Sequence, residues 1–348
     1  KLATADRGPF SATGAWVWRW KDRIDRKFMA QFEDLPRSMQ LRYWGRLPGV
    51  DVAAQQPCGG CGAKVAPDVL GTVLGELAAR HPDHSPGVSD DAVPVPGETG
   101  TQLVQSLDML RELVADPWLM GRIAANHALS DLHACAARPV SALAAVCLPY
   151  ASNEIQRREL QQLLAGALHE FTALDCQLTG GHSMQGPELN LGFVVNGVPL
   201  SAAAGLLPKT GLLPGDHLIL TKPLGTGVLF AAALQLAADG RDIAAALEMM
   251  LQSNAGAAAL ALEFNASACT DVTGFGLLGH LLEMLVGEQR ATLELSRLPL
   301  LAGAADALDE GIRSSAHELN ASAAAALSEG GRSGRSNDGL DQVVFDPQ

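Results

Sequence analysis

The sequence has few aromatic residues, a deficit of basic residues and no long apolar run. Aromatic residues make up 5% of the 348 positions, so the core must be built mainly from small and aliphatic side chains. The formal net charge of -13 at pH 7 argues against a nucleic-acid partner, because binding to a phosphate backbone requires a cationic surface. Without an apolar run of bilayer-spanning length or a segment with the layout of a secretory signal, we expect a cytoplasmic protein.

Cysteine usage argues against a disulfide-rich fold. Six cysteines in a chain of this length do not resemble a disulfide framework, and Cys135, Cys147 and Cys176 lie in apolar surroundings that predict reduced, buried thiols. Cys58 and Cys61 form a Cys-x-x-Cys pair, but the sequence has no second pair of cysteine or histidine ligands to complete a zinc ribbon. A thioredoxin-like redox couple stays open as an interpretation of this pair.

The segment around this pair, residues 58–64, reads Cys-Gly-Gly-Cys-Gly-Ala-Lys. A cation three residues from a cysteine favours the reactive thiolate form. Glycine costs backbone entropy in a scaffold element but allows the backbone to approach a ligand closely. We therefore expect Cys61 and Lys64 to work as a pair on a mobile, reactive loop.

Residues 1–50 differ in composition from the rest of the chain, because aromatic side chains alternate there with arginine and lysine. From Trp20 onwards, Ile24, Phe28 and Phe32 recur every four residues, which predicts a basic amphipathic helix. Membrane contact of residues 15–33 is one interpretation of this helix. Docking on a neighbouring domain is the other, and we favour it.

Strands and helices alternate in two halves of the remaining chain, which predicts a two-domain protein of mixed α and β structure. The predicted elements of the first half are a helix at 67–79, a strand at 103–107 that ends in Asp108, a helix that Asp116 and Pro117 begin and whose pattern runs to Pro139, a strand at 140–148, a helix at 155–174 and a strand at 191–198. Those of the second half are a strand at 218–221, helices up to Glu263, a helix that residues 270–276 open and that ends near Val286, a loop at 328–339 and a strand at 342–345.

Four acidic positions share one local setting, in which an aspartate stands beside a serine or threonine near the end of an apolar element. Magnesium takes oxygen ligands and usually bridges one or two carboxylates to substrate phosphates. Any one such pair is also a common helix cap or turn, so the set carries more weight than its members. The positions are Asp90-Asp91, Asp108, Asp131 and Asp271.

Two glycine-containing segments could contact an anion. Residues 180–183, Gly-Gly-His-Ser, predict a turn whose backbone N–H groups could face a phosphate. Residues 222–227 match neither the spacing of a Walker P-loop nor that of a dinucleotide-binding fingerprint, so these two nucleotide-binding folds are not supported.

Taken together, six motifs in fixed order give residues 57–348 a specific resemblance to a known family. The motifs are Cys61-Gly-Ala-Lys64, Ser89-Asp-Asp-Ala-Val93, the segment from Asp116 to Asp131, Gly180-Gly-His-Ser183, Leu220 to Val228 and Thr270 to His280. This part of the chain resembles the selenophosphate synthetases, the selenide, water dikinases of the superfamily that also holds aminoimidazole ribonucleotide synthetase.

The resemblance implies a fold, an activity and an assembly. The fold is α+β, with two aminoimidazole ribonucleotide synthetase-like (PurM-like) domains: an ATP-binding domain at 51–207 and a second domain at 208–348. The activity is ATP-dependent conversion of selenide into selenophosphate, with AMP and orthophosphate as the other products. The assembly is a homodimer in which the sheets of the first domains pair, with ATP bound near that interface.

The resemblance also implies site residues, each at a position that matches a family motif. Cys61 matches the family's catalytic cysteine, and Lys64 matches its essential lysine. Asp91, Asp131 and Asp271 match the Mg²⁺ ligands. The implied nucleotide-site residues are Lys64, Val88, Ser89, Asp90, Asp108, Asp131, Gly181, His182 and Ser183.

The sequence departs from the family pattern in three places. Ala63 stands where many members have a second cysteine, and the extra cysteine here is Cys58, which we expect to be auxiliary. The chain stops at Gln348, where the family continues into a Thr-Ser-Gly-Gly turn, so we expect the second domain to be incomplete. Residues 1–50 lie outside the match, and residues 14–25 resemble the C-terminal end of an FAD-dependent NADH dehydrogenase-like domain. A fusion is then implied, with FAD bound only in an upstream domain.

Two alternatives stay open at this point. One is another ATP-using enzyme of the same superfamily, such as a purine-pathway synthetase or a thiamine-phosphate kinase, although the Cys-Gly-x-Lys segment favours the selenium enzyme. The other is a redox module in which Cys58 and Cys61 cycle between dithiol and disulfide.

Overall fold

The computed structural model describes residues 91–95, 102–321 and 340–348, the backbone of 3–7 and 10–14, and single positions elsewhere. Residues 1–56 and 57–348 form two separate compact units. In the first unit, β1 (Ala3–Arg7) and β2 (Phe10–Gly14) pair antiparallel as a hairpin. Arg19 and Arg23 are helical, and the rest of the predicted amphipathic helix lies outside the described residues.

The second unit contains a five-stranded sheet in the order β3-β4-β7-β5-β6. Its strands are β3 (Val93–Pro94), β4 (Val104–Arg111), β5 (Ala137–Pro149), β6 (Gln177–Gly186) and β7 (Asn190–Pro199). β5 and β6 run parallel, and the other neighbours are antiparallel. The parallel pair requires a crossover, which the helix between β5 and β6 supplies.

Two long helices, α1 (Pro117–Ala134) and α2 (Asn153–Ala173), pack on each other beside this sheet. The predicted start of α1 is confirmed: the Asp116 side chain accepts a hydrogen bond from the Leu119 N–H at 2.9 Å, and proline fills the first helical position. The helices approach closely because each presents a glycine. A Cβ on Gly121 would lie 2.0 Å from the Leu163 carbonyl oxygen, and one on Gly166 would lie 2.0 Å from that of Trp118.

The core of this part joins both helices to β7. The Phe171 and Phe193 rings meet edge to face with centroids 5.0 Å apart, and Leu129 and Leu163 are fully buried with them. Burial of each such side chain contributes roughly 1.5–3 kcal/mol. Of the cysteines predicted to be buried, Cys135 and Cys176 are, whereas Cys147 is partly exposed.

The other elements of this unit are short helices, most of which pack around a second core. These are α3 (Thr226–Leu234), α4 (Gly240–Met250), α5 (Ala255–Glu263), α6 (Gly276–Met284), α7 (Ala304–Asp309), α8 (His317–Ala321) and the 3-10 helices Leu295–Arg297 and Leu340–Phe345. Val228, Leu308 and Val343 are among the side chains that they bury. None of the helices in the described part of the chain has the length and apolarity that crossing a bilayer requires.

Two predicted strands of the second half are wrong. Residues 218–221 form no strand, and Ile219 is 83% exposed. Residues 342–345 belong to a 3-10 helix, and the Phe345 carbonyl accepts a hydrogen bond from the Asn320 side chain at 2.9 Å. Short apolar runs do not distinguish a strand from a packed turn or loop by periodicity alone, because a strand also needs a neighbouring strand to pair with.

Three boundaries in the first half also differ from the prediction. Asp108 lies inside β4 and not at its end, since the strand continues to Arg111. α1 ends at Ala134, and β5 begins at Ala137, before the residues assigned to it. The predicted turn at 180–183 is wrong, because these residues lie inside β6.

Candidate metal and nucleotide site

Three aspartates from distant parts of the sequence come together in the second unit. One carboxylate oxygen each from Asp91, Asp131 and Asp271 lies within 4.8 Å of the others. Asp91 precedes β3, Asp131 lies in the C-terminal half of α1, and Asp271 lies in the loop before α6. The structure thus assembles the three residues that the resemblance implies as Mg²⁺ ligands.

The electrostatics of this cluster disfavour the state in which all three carboxyl groups are ionised and no cation is bound. Burial, followed by the charges of Asp271 and Asp108, raises the pKa of Asp131 to about 9. The Ser106 hydroxyl donates a hydrogen bond to Asp131, which opposes the rise. Burial and the charge of Asp271 also raise the pKa of Asp91, to about 6. Closely spaced acidic groups that water solvates poorly favour a cation between them.

The donor set fits a hard divalent cation. All three side chains offer oxygen atoms, the ligand type that Mg²⁺ prefers. Asp271 is 9% exposed, and its Oδ2 accepts no hydrogen bond from the residues that the structure describes. A buried oxygen of this kind has an unused lone pair that a metal could take.

A lysine that the sequence analysis did not identify contacts the cluster. Lys209 Nζ lies 2.6 Å from Asp91 Oδ1 and 3.1 Å from Glu283 Oε2 of α6. The Lys209 side chain is only 10% exposed. It belongs to no motif and stands in a short apolar, proline-containing stretch, so nothing in its sequence surroundings points to a site.

Asp108 lies beside the cluster on β4. Its Oδ2 is 3.8 Å from Nε2 of His127 on α1, and its charge acts on Asp131. Asp108 does not belong to the trio of close carboxylates, and the nucleotide-site role that the resemblance implies for it stays a prediction.

Gly181, His182 and Ser183 lie on β6, at the edge of the described sheet. They pair with residues 144–146 of β5, and all three are exposed. Within the described residues, no hydrogen bond or ion pair joins them to the three aspartates.

The other implied site residues cannot be placed in this way. Cys61, Lys64, Val88, Ser89 and Asp90 lie outside the described residues, as do Cys58 and all but isolated positions of the helix predicted at 67–79. Their roles stay predictions.

Side chains of α1 also connect the first half of the unit to the second. The Asn126 amide donates to the Leu251 carbonyl at 3.0 Å, and the Asn254 amide donates to the Ser130 hydroxyl at 2.9 Å. Ser130 is adjacent to Asp131, so the loop between α4 and α5 supports the helix next to the acidic cluster. The sequence pattern predicted that Asn126 and Ser130 lie on this helix, but it did not identify the residues that they contact.

Comparison with known proteins agrees with the two-part organisation. The family model for the N-terminal domain of AIR synthase related proteins matches residues 89–199, and that for the C-terminal domain matches residues 214–328. The solved structure of thiamine monophosphate kinase from Aquifex aeolicus covers 81% of this chain, and the chain covers 86% of it, with a TM-score of 0.56 at 15% identity. The predicted PurM-like two-domain α+β fold is thereby confirmed.

Sequence relatives identify the branch of this superfamily. The selenide, water dikinase of Myxococcus xanthus is 39% identical over 261 residues, which is 73% of each chain. That of Desulfitobacterium hafniense strain Y51 is 40% identical over 251 residues, which is 71% of this chain and 72% of its own. With this identity over more than two thirds of its relatives' length, the chain belongs to the selenide, water dikinase family.

Proposed function

We propose that this protein catalyses ATP-dependent synthesis of selenophosphate from selenide, with release of AMP and orthophosphate. The observation that carries the proposal is membership of the selenide, water dikinase family across both family-matched segments. The acidic cluster supports it, because phosphoryl transfer requires mainly positioning and neutralisation of phosphate charge.

In this mechanism Asp91, Asp131 and Asp271 would hold Mg²⁺. When bound, Mg²⁺ neutralises charge on the phosphates of ATP. Asp108, on the adjacent strand, contributes to the nucleotide site. The further nucleotide contacts that we propose are Lys64, Val88, Ser89, Asp90, Gly181, His182 and Ser183.

Cys61 and Lys64 supply the acceptor side of the reaction. We assign Cys61 to delivery or shielding of the selenide nucleophile, and Lys64 to stabilisation of the transferring phosphate or the incoming anion. A thiolate and an ammonium three residues apart suit this pair of tasks. Cys58 is auxiliary.

The test is ATP turnover with and without selenide. We expect turnover that selenide stimulates, its loss in Cys61→Ser and its retention in the matched control Cys58→Ser. Normal activity of Cys61→Ser would refute the role of Cys61. A chain without selenide-dependent turnover whose Cys58–Cys61 pair shows a measurable reduction potential would instead favour the redox module.

We further propose a homodimer that forms through the exposed face of the sheet. Leu107, Met109, Leu143 and Met184 lie on β4, β5 and β6, and each is at least 41% exposed. Apolar side chains grouped on one sheet face are typical of a surface that another protein covers. A second copy of the same sheet would bury them by two-fold symmetry.

Within this assignment, 51–207 is the ATP-binding domain and 208–348 the second domain. For residues 1–50 we propose descent from an FAD-dependent NADH dehydrogenase-like domain, on the strength of the segment at 14–25 and of the separate unit at 1–56. Sequencing of the reading frame upstream tests this: flavoprotein motifs are expected there, and an unrelated domain would contradict the fusion.

A further inference from the structure

Lys209 is a buried cation at the edge of the acidic cluster, in the stretch between the two family-matched segments. Its side chain is 10% exposed and that of Asp91 is 5% exposed, so their contact at 2.6 Å is shielded from solvent. A buried ammonium needs a paired anion, and a buried carboxylate needs a paired cation or hydrogen-bond donors. Through Nζ and Oδ1, the lysine and the aspartate compensate each other's charge.

The other two carboxylates of the cluster are less well compensated. Asp131 has the Ser106 hydroxyl as its partner, and Oδ2 of Asp271 has none among the described residues. Lys222 also acts on Asp271 electrostatically, but its ammonium donates to the Gln252 carbonyl. The positive charge of Lys209 therefore offsets part of the negative charge of the three aspartates through direct contact with Asp91.

The second contact of Lys209 leads back to the segment that carries Asp271. Lys209 Nζ lies 3.1 Å from Glu283 on α6, and Glu283 lies 3.4 Å from Nδ1 of His280 on the same helix. His280 Nε2 is 3.2 Å from Oγ1 of Thr273, two residues after Asp271. One buried side chain thus connects the segments that provide two of the three carboxylates.

We propose that Lys209 is a positioning residue for the metal site. The lysine holds Asp91 beside Asp131 and Asp271 before a cation binds, and its charge weakens the affinity of the site for that cation. This inference rests on the proposed Mg²⁺ site. A fixed positive charge stabilises the metal-free cluster and repels an incoming divalent ion, so it reduces the free-energy gap between the two states. Such an enzyme would stay folded without metal and bind Mg²⁺ reversibly together with its nucleotide.

The test is thermal unfolding of the full chain in EDTA and across a Mg²⁺ titration, for wild type and Lys209→Met. We expect Lys209→Met to unfold at a lower temperature in EDTA, and Mg²⁺ to restore most of the difference. The Mg²⁺ concentration that gives half of the stabilisation should fall about tenfold, because removal of a contacting positive charge favours the cation.

Two matched variants separate charge from packing. Lys209→Arg keeps the charge, so its Mg²⁺ midpoint should stay near that of wild type. Glu283→Gln removes the other anion from Lys209 and strengthens the field of the ammonium at Asp91, so its midpoint should not fall. A lower midpoint in either variant would contradict the inference.

The outcomes distinguish this inference from the proposed metal site. If Mg²⁺ does not stabilise the wild type, the metal site itself is wrong. If Mg²⁺ stabilises wild type and Lys209→Met with the same midpoint, Lys209 is a structural ion-pair residue and the inference is overturned. If Lys209→Met folds only in the presence of Mg²⁺, the inference is supported, whereas failure to fold under both conditions overturns it.

Discussion

At the scale of single residues, charge repulsion within the acidic cluster raises the free energy of the metal-free protein. Asp131 receives the negative fields of Asp271, Asp108 and Asp91 at a partly buried position. Its partner among the described residues is a neutral hydroxyl, that of Ser106. The cluster therefore costs free energy without a cation, and the same residues gain free energy when one binds.

Asp131→Asn tests both the cost of the cluster without a cation and the gain in free energy when a cation binds. An amide can still accept the hydrogen bond of Ser106, and it spares the folded protein the cost of either placing a third negative charge in the cluster or protonating Asp131, whose pKa is raised to about 9. We expect the metal-free variant to be more stable than wild type by ~1–2 kcal/mol, and to lose most of its stabilisation by Mg²⁺. Urea unfolding with EDTA and with Mg²⁺ measures both effects.

Asp108→Asn is the matched control, since Asp108 lies near the cluster but outside the trio of close carboxylates. Because the charge of Asp108 acts on Asp131 from outside the trio, the stabilisation of this variant by Mg²⁺ should fall far less than that of Asp131→Asn. An Asp131→Asn protein that responds to Mg²⁺ as wild type does would remove Asp131 from the metal site.

Single residues of the site differ in how far the sequence could predict them. Asp91, Asp131 and Asp271 were identifiable because each stands within two residues of a serine or threonine inside an ordered motif. Lys209 was not identifiable, because no motif contains it. The sequence around a buried lysine does not differ from that around an exposed lysine in a way that reveals its partners. The two contacts of Lys209 come from residues 118 positions before it and 74 after it, which no local pattern encodes.

At the scale of elements, β6 shows why a glycine pair need not form a turn. Gly180 and Gly181 have φ values of 156° and 152°, and they pair with β5 next to a register irregularity at Ala142/Leu143. Glycines inside a strand often mark such irregularities or a close approach of backbones. The dipeptide alone does not distinguish this from a turn, which is why the sequence-based interpretation was wrong.

The two glycines provide a matched pair of substitutions. Both have nearly the same φ, but a Cβ on Gly181 would lie 2.1 Å from the Ala144 carbonyl oxygen, whereas one on Gly180 would meet only a Leu143 methyl carbon at 3.7 Å. We expect Gly181→Ala to destabilise the protein by about 2 kcal/mol more than Gly180→Ala, since the neighbouring strand must move. Denaturant unfolding of both variants measures the difference.

The Gly180→Ala variant controls for backbone strain at positive φ, so the difference between the variants isolates the close contact. If the two substitutions cost the same, β6 does not approach β5 as closely at Gly181 as the structure indicates. ATP binding should weaken in Gly181→Ala if this strand carries the proposed nucleotide contacts.

At the scale of the whole molecule, the two-domain fold was predictable and the packing between its halves was not. The order of helical and strand patterns, together with the ordered motifs, was sufficient for the α+β assignment, which the family models confirm. The hydrogen bonds of Asn126 with the Leu251 carbonyl and of Ser130 with the Asn254 side chain join residues 125 and 124 positions apart. The wrong strands at 218–221 and 342–345 have the same origin, because an apolar run becomes a strand only where a partner strand is available.

The exposed sheet face provides the last prediction, at the level of assembly. If two copies pair through this face, each substitution in it enters the interface twice by symmetry. Lysines at Leu107 and Leu143 would then place four uncompensated charges in an apolar interface, each of which is costly to bury. We expect Leu107→Lys combined with Leu143→Lys to raise the dimer dissociation constant at least about 100-fold, measured by analytical ultracentrifugation.

Leu234→Lys is the matched control for this experiment. Leu234 lies on α3, outside the sheet, and its exposed fraction of 59% is close to the 56% of Leu107. A lysine there should leave the dissociation constant unchanged. If wild type sediments as a monomer, or if the double variant remains dimeric at the same concentrations, the sheet face is not the dimer interface.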